Sequence, residues 1–206
     1  QNKIKTYQTN KLEFNESKQY MKVWLYRVLL TSLFSSQTDE ILRRAREVLK
    51  VNKGQFPYAK LISALPPGKN LELKKETFED ISYEDGNDFF ILSLLYPNFN
   101  LNPASPHNTP HIDHIFSQNS LESAKYKQAS IHNIGNLQIL TENENISKNK
   151  TEFEIWINGQ SEAFLEKSYI PLDRSLWKVE NYEKFLKARR DIMYSKLVER
   201  INSIKI

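Results

Sequence analysis

Apolar side chains recur along most of this chain at the spacing of an α-helix. Between residues 16 and 34 they return every three or four positions, which predicts a first helix. The same spacing predicts a second helix from Thr38 to Leu49, with Gly54 beyond its end. Further helices are predicted at 57–65, 87–96, 151–168 and 178–204. The pattern therefore predicts a mainly α-helical protein.

The pattern changes after the fourth predicted helix. Residues 97–110 contain four Pro and four Asn, a composition typical of a loop. Two short β-type runs follow, at His111–Phe116 and Asn136–Leu140, and a polar turn then enters a short helix within 141–150. The predicted fold class is mainly α with a small ββα finger, an α+β fold. We expect three parts: a helical N-terminal part at 1–100, the ββα core at 101–160, and a helical C-terminal part at 161–206 that packs on the core.

The composition excludes several kinds of functional site. The chain has no Cys, which excludes disulfides, Cys-based zinc sites and a Cys nucleophile. A metal site must then use His, Asp, Glu, Asn or Gln with water, a set suited to Mg²⁺, Mn²⁺, Ni²⁺ or a His-rich Zn²⁺ site. No apolar run approaches the roughly 18 residues of a membrane span, so no membrane partner is expected. With neither a signal peptide nor an initial Met, the chain is expected to be a cytoplasmic piece of a longer protein.

Charge is unevenly distributed along the chain. Residues 1–50 hold ten Lys and Arg against five Asp and Glu, and residues 174–206 hold nine against four. The middle, 51–173, holds ten against sixteen. Basic ends can attract a polyanion such as DNA. Arg189 and Arg190 of the last helix are the candidates for this contact. Taken alone, the pattern fits the ordinary solvation of helix surfaces better.

All four His residues lie between positions 107 and 132, and this crowding indicates a site. Asp113 and His114 end the first β-type run, Asn136 follows 22 residues after His114, and Asn145 follows 9 residues after that. A His on the first strand, an Asn on the second and an Asn on the helix is the order of an HNH finger. A neutral imidazole can take a proton from water. A carboxylate beside an amide oxygen can hold one hard cation.

Three segments carry a resemblance to a known family: His111–Phe116, Ile134–Leu137 with Leu140, and Asn143–Lys148. They resemble the C-terminal HNH domain of GmrSD-type modification-dependent restriction enzymes. The spacing from Asn136 to Lys148 is also similar to that of the HNH domain in RNA-guided CRISPR nucleases. The resemblance covers 107–156 strongly and the rest of the chain only vaguely. It departs at one position, because the family usually has Pro where this chain has Ser117.

The resemblance implies a role for each matching residue. His114 would be the catalytic general base, and Asn136 would be the structural Asn of the hairpin. Asp113 and Asn145 would bind one divalent metal ion, with Mg²⁺ preferred to Mn²⁺, Ni²⁺ or Zn²⁺. Lys148 would contact the phosphate backbone, with Lys150 the next nearest cation. His111 would touch metal or phosphate, or else buttress the site, and His132 is expected to be structural.

The implied function is a metal-dependent endonuclease or nickase that hydrolyses DNA in defence against modified phage DNA. In the family, an N-terminal nucleotide-hydrolysing recognition domain accompanies the nuclease. These 206 residues contain no Gly-rich phosphate-binding loop, so that domain would be a partner outside them. Two alternatives stay open: a nucleic-acid-binding or docking module with a degenerate HNH site, and an RNase with the same finger.

Overall fold

The computed structural model describes residues 11–52, 54–83, 85–97, 99, 110–148 and 152–203. It divides the chain into two compact units, which are Gln1–Lys74 with Val198–Ile206 (unit 1) and Lys75–Leu197 (unit 2). Helices dominate, and the described β-sheet is a single antiparallel pair of strands. The predicted fold class, mainly α with a small two-stranded sheet, is confirmed. No helix among the described residues has both the length and the apolar content to cross a bilayer.

Unit 1 is built from helices. They are α1 (Lys11–Leu30), a 3₁₀ turn (Leu33–Ser35), α2 (Thr38–Val51) and α3 (Tyr58–Ser63). One cluster of its core contains Val28, Leu33, Ile41 and Leu71. The sequence predicted the three longer elements because their apolar positions follow helical spacing. All the candidate site residues lie in unit 2.

Unit 2 contains both strands and most of the short helices. Before the strands come α4 (Lys75–Glu79) and α5 (Asp88–Leu95). The strands are β1 (Pro110–His114) and β2 (Leu137–Thr141), separated by α6 (Gln118–Ser123), α7 (Gln128–Ile131) and a 3₁₀ turn (Ile134–Asn136). After them come α8 (Glu142–Lys148), α9 (Phe153–Asn158), α10 (Glu162–Lys167), two 3₁₀ turns (Arg174–Trp177 and Val179–Asn181) and α11 (Tyr182–Ser203), whose residues from Val198 onward belong to unit 1.

The strands pair with a register that fixes the site. His114 lies opposite Leu137, and Asp113 lies opposite Gln138. Every residue of β1 is half-buried, whereas β2 is buried up to its last residue, Thr141. Helix α8 follows β2 directly and packs against both strands. The order β1, β2, α8 is the ββα arrangement that the sequence pattern predicted.

The core of unit 2 forms around the two residues that follow β1. Ile115 and Phe116 are fully buried, and the ring of Phe116 lies 4.2 Å from that of Phe153 and 5.0 Å from that of Phe185. Helix α11 adds Tyr182, Phe185 and Leu186 to this cluster, at spacings that place them on one helix face. The buried aromatic cluster therefore holds the chain immediately after His114.

The division of the chain differs from the expected boundary at residue 100. Tyr83 N donates to His132 O at 2.8 Å, and Ile134 N donates to Ile81 O at 2.8 Å. Between these bonds, Ser82 forms a β-bridge with Asn133. These non-local bonds attach the segment before the loop to the strand region, and periodicity along the sequence gives no sign of them. Residues 75–97 and 161–197 therefore belong with the ββα finger in one unit.

Candidate active site

The end of β1 carries the residue with the clearest chemistry. His114 Nε2 lies 3.1 Å from Nδ1 of His132. The ring of Tyr83 packs against both imidazoles, with centroid distances of 5.4 Å to His114 and 6.2 Å to His132. Nε2 of Gln118 lies 3.4 Å from Nδ1 of His114 and 3.5 Å from its Nε2, the distances of weak contacts. His114 is thus held firmly through one ring nitrogen and loosely through the other.

The surroundings of His114 favour its neutral form. Burial is the main cause, and His132 adds to it; Asp113 opposes the shift and Lys148 supports it. Together these effects lower the pKa of His114 to about 4. At neutral pH the ring is therefore uncharged and has one nitrogen with a free lone pair. That is the state in which a histidine acts as a general base.

The carboxylate of Asp113 is held by two side chains. Its Oδ2 accepts hydrogen bonds from Nε2 of Gln138 at 2.9 Å and from Nζ of Lys148 at 2.5 Å. Gln138 is the cross-strand partner of Asp113, so the two side chains lie on the same face of the hairpin. The Asp113 side chain remains 20% exposed, but that of Lys148 is only 5% exposed. Solvent can therefore reach the carboxylate while the ammonium group is buried.

Lys148 does not occupy the position that the resemblance implies. Its ammonium group donates to the backbone oxygen of His114 as well as to Asp113, and lies 5.5 Å from the ring centre of Trp156. Burial lowers the pKa of Lys148, while Asp113 opposes that shift. Because the ammonium group is used inside the protein, the predicted phosphate contact of Lys148 is wrong for this conformation. Lys148 instead joins the end of α8 to the end of β1.

Asn136 anchors the segment that leads into β2. Its side chain is fully buried, with Oδ1 accepting from Phe116 N at 2.9 Å. Its Nδ2 donates to Phe116 O at 3.1 Å and to Ile131 O at 2.9 Å. Its backbone oxygen accepts from Ile115 N at 2.7 Å. These four bonds fix the chain just after His114, so Asn136 acts as a positioning residue for the histidine.

The predicted metal ligands are Asp113 and Asn145, and Asn145 lies half-buried on α8. Among the residues that the structure describes, no three His, Cys, Asp or Glu side chains gather as a metal-binding group. A Mg²⁺ ion needs only one or two protein carboxylates because it keeps several waters. Next to Asp113, Oε1 of Gln138 is buried with no hydrogen-bond partner in the described part of the chain. The donors present are hard oxygens, and their chemistry fits a Mg²⁺-like ion.

Arg189 is the clearest correction to the sequence-based prediction. It was expected to contact DNA, but its side chain is fully buried. One terminal nitrogen donates to Gly135 O and Leu137 O, both at 2.8 Å. The other donors reach Ser168 O at 3.1 and 3.2 Å and Tyr96 Oη at 3.2 Å. The predicted DNA contact is therefore wrong, because position 189 lies on the core-facing side of α11.

The other predicted contacts have different outcomes. Arg190 is half-buried, and its Cγ lies 2.7 Å from where a Cβ on Gly135 would stand. His111 is half-buried on β1, opposite Leu140. For both residues, nucleic-acid binding stays a prediction. Lys150 and His107 lie outside the described residues.

Sequence reasoning missed three participants in the site. Gln138 left a signal, because it is a buried polar residue within the apolar run of β2. Tyr83 left none, since backbone bonds to a distant segment bring it to the histidines. His132 was expected to be structural, but its ring nitrogen lies against His114. Its partnership with His114 depends on the turn around Asn133, which spacing alone does not reveal.

A comparison with known protein families identifies a family that has this site region. Residues 67–196 match the model of the family described as GmrSD restriction endonucleases, C-terminal domain. The match covers well over half of the 206 residues and includes every site residue described above. A comparison with curated proteins gave no match.

Proposed function

Because this chain belongs to the family of GmrSD restriction endonuclease C-terminal domains, a nuclease family, we propose that it is a metal-dependent HNH endonuclease acting on DNA. The observation that supports this most directly is the position of His114. It is a neutral imidazole at the end of β1, next to a partly exposed carboxylate, in a ββα arrangement anchored by Asn136. These are the parts that hydrolysis of a phosphodiester needs, a base and an anionic ligand for a cation.

In this proposal each residue has a separate task. His114 accepts the proton of the attacking water through its loosely held nitrogen. Asp113 and Asn145 would hold one divalent ion, Mg²⁺ in the first place, with Gln138 beside Asp113. When bound, such an ion neutralises charge that develops on the phosphate and on the leaving oxygen. Asn136 keeps His114 and Asp113 in register by fixing the chain after β1.

The remaining details of the proposal follow from the family. One HNH site cuts one strand, so we expect nicking, with a 5′-phosphate and a 3′-hydroxyl as products. The biological role would be defence against modified phage DNA in the cytoplasm. An N-terminal nucleotide-hydrolysing domain would supply target recognition. Without it, we expect this chain to cut DNA weakly and with little regard to sequence.

The decisive experiment is incubation of the chain with supercoiled plasmid, and separately with RNA, in the presence of Mg²⁺, Mn²⁺, Ni²⁺ or EDTA. We expect nicked plasmid with a divalent ion and none with EDTA. His114→Ala should lower the rate by roughly 10²- to 10⁴-fold, the contribution usual for a general base. Far-UV circular dichroism should be unchanged, because His114 lies outside the buried cluster. Unchanged nicking by the variant would disprove the assignment of the base.

One observation favours a second candidate. The Asp113 carboxylate already has a cationic partner in Lys148, so it does not need a metal ion for charge balance. A nucleic-acid-binding or docking module with a degenerate site would look like this. Plasmid binding without cleavage in any of the metals would support that candidate. Cleavage of RNA but not of plasmid would identify an RNase instead.

A further inference from the structure

The side chain of His132 lies between His114 and a chain of surface polar groups. His132 Nδ1 is 3.1 Å from His114 Nε2, and His132 Nε2 is 2.9 Å from Oε1 of Gln128. Nε2 of Gln128 in turn donates to Oε1 of Glu122 at 3.0 Å. Four side chains are therefore connected in a row: Glu122, Gln128, His132 and His114. The row ends at Nε2 of His114.

The direction of each hydrogen bond in this row is determined by its first member. A carboxylate only accepts hydrogen bonds, so the nitrogen of the Gln128 amide must face Glu122. The oxygen of that amide then faces His132, which must donate from Nε2. A neutral His132 with its proton on Nε2 has an unprotonated Nδ1. That atom accepts the hydrogen bond, and so His114 must carry its proton on Nε2.

We propose that His132, oriented by Gln128 and Glu122, is a positioning residue that holds His114 in the tautomer with Nε2 protonated and Nδ1 free. The role of Nδ1 as the proton-accepting atom rests on the proposed nuclease function, but the tautomer itself does not. The neighbour given for Nδ1 is Nε2 of Gln118 at 3.4 Å, a weak contact that this nitrogen shares with His114 Nε2 at 3.5 Å, so a water can compete for Nδ1. The hydrogen bond on one imidazole nitrogen decides what the other can do.

The backbone around His132 is fixed well enough for this task. His132 caps α7, with its N–H donating to Gln128 O at 2.9 Å. Its backbone oxygen accepts from Tyr83 N at 2.8 Å. Gln128 lies four residues earlier, one helical turn away, which places the two side chains on the same face. The ring of Tyr83 covers both imidazoles and limits their rotation.

The tautomer can be read directly by nitrogen NMR on chain labelled at histidine. The sequence has only four His residues, so the spectrum is simple, and the His114→Ala variant assigns one set of signals. In the wild type we expect His114 to show a protonated Nε2 and an unprotonated Nδ1. His132→Leu should give a mixture of tautomers. His132→Asn should restore the wild-type state, because the amide oxygen of Asn takes the place of Nδ1 as acceptor.

Two variants of the surface residue Gln128 test the proposal without a change in the core. Gln128→Leu removes the acceptor for His132, whereas Gln128→Glu keeps an acceptor oxygen in that place. Both change an exposed side chain, and Gln55→Leu is the matched control, because Gln55 is also exposed and its amide also donates to a carboxylate, that of Glu16. We expect mixed tautomers of His114 only in Gln128→Leu. If His114 keeps one tautomer in both His132→Leu and Gln128→Leu, the positioning role of His132 is disproved.

Plasmid cleavage gives the second readout. His132→Leu should lower kcat by roughly 10- to 100-fold, the range found when partners that orient histidine ligands are removed. KM should change little, because His132 acts through His114, and His132→Asn should recover most of the rate. If kcat is unchanged while the tautomer mixes, the positioning role in catalysis is disproved. A wild type with the expected tautomer but no cleavage would instead count against the proposed function and leave the tautomer assignment standing.

Discussion

Two regions of unit 2 differ in how deeply their polar side chains are buried and how closely they are hydrogen-bonded. The hairpin anchor consists of Asn136 and Arg189 with the backbone that they bind; the reactive edge consists of Asp113, His114 and His132. In the anchor both side chains are fully buried, and their hydrogen bonds measure between 2.8 and 3.2 Å. At the reactive edge, Asp113 is 20% exposed and Gln118 contacts His114 only at 3.4 Å. The anchor therefore carries stability, and the edge keeps groups available for a substrate.

This difference separates the effects that substitutions should have. A buried donor or acceptor left without a partner costs about 1–3 kcal/mol, because it loses water without gaining a protein partner. Changes in the anchor should thus act chiefly on the melting temperature, and on turnover only where His114 loses its position. Changes at the edge should do the reverse. Each prediction below tests one side of this separation.

The largest stability loss is expected for Arg189→Met. The variant leaves the backbone oxygens of Gly135, Leu137 and Ser168 without their buried donor. We expect a loss of about 3 kcal/mol or more in the free energy of unfolding, since several acceptors are affected. Chemical denaturation measures it. Lys187→Met, an exposed change of the same charge on the same helix, should have almost no effect, and an equal loss in the two variants would contradict the anchor.

Lys148→Met tests the boundary between the two regions. It removes the cation beside Asp113 and the donor to His114 O, which should cost about 2 kcal/mol because the carboxylate is partly exposed. A divalent ion can replace the lost charge, so Mn²⁺ should raise the melting temperature of the variant more than that of the wild type. Lys167→Met, an exposed lysine on α10, is the control. A variant that responds to Mn²⁺ no more than wild type would place the ion away from Asp113.

Gly135→Ala tests the close packing of the anchor. A Cβ at this position would lie 2.7 Å from Cγ of Arg190 and 2.8 Å from Cδ1 of Leu186, so these side chains would have to move, and it would lie 3.2 Å from the backbone oxygen of Leu186. We expect a loss of about 1–3 kcal/mol, as for other overpacked sites. Thermal unfolding monitored by circular dichroism would show it. At Gly159, where the nearest atom would be 3.5 Å away, the same change should be much milder.

The smallest effect is expected at Ser117, the position where the family usually has Pro. Ser117 caps α6 by accepting from Ser120 N at 3.2 Å. Ser117→Ala should therefore cost about 1 kcal/mol, the usual value of a lost N-cap. The φ of Ser117 is −60°, which Pro also adopts, so Ser117→Pro should fold without strain. A much lower melting temperature for the Pro variant than for the Ala variant would show that this backbone position differs from that of the family.

The sequence predicted those elements whose pattern is local. The longer helices and both strands follow from apolar spacing, and the positions of Asp113, His114 and Asn136 follow from their order along the ββα finger. Helices α4, α6 and α7 were not predicted, because four to six residues carry too little periodicity to stand out. The sequence also gave no sign of the bonds from Ile81 and Tyr83 to the turn that precedes Asn136, since they join distant segments.

The errors at the site have one physical cause. A basic residue in a sequence was interpreted as a surface charge, yet Arg189 and Lys148 are both buried and bonded to oxygen atoms of the protein. For Arg189 the helix face could have revealed this, because it lies three and four residues after Leu186 and Phe185, which are core positions. For Lys148 the face depends on where the short helix α8 packs, and only the structure provides that.

The bonds of Arg189 also set an order of assembly for the finger. Gly135 precedes Arg189 by 54 residues, and Leu137 precedes it by 52. During synthesis the hairpin leaves the ribosome well before the guanidinium group that will bind its two carbonyls. The two carbonyls beside the reactive edge therefore receive their buried donor only when the final helix has been made and has docked. A chain truncated before α11 would keep Asp113, His114 and Asn136 but would leave these two carbonyls without the guanidinium group.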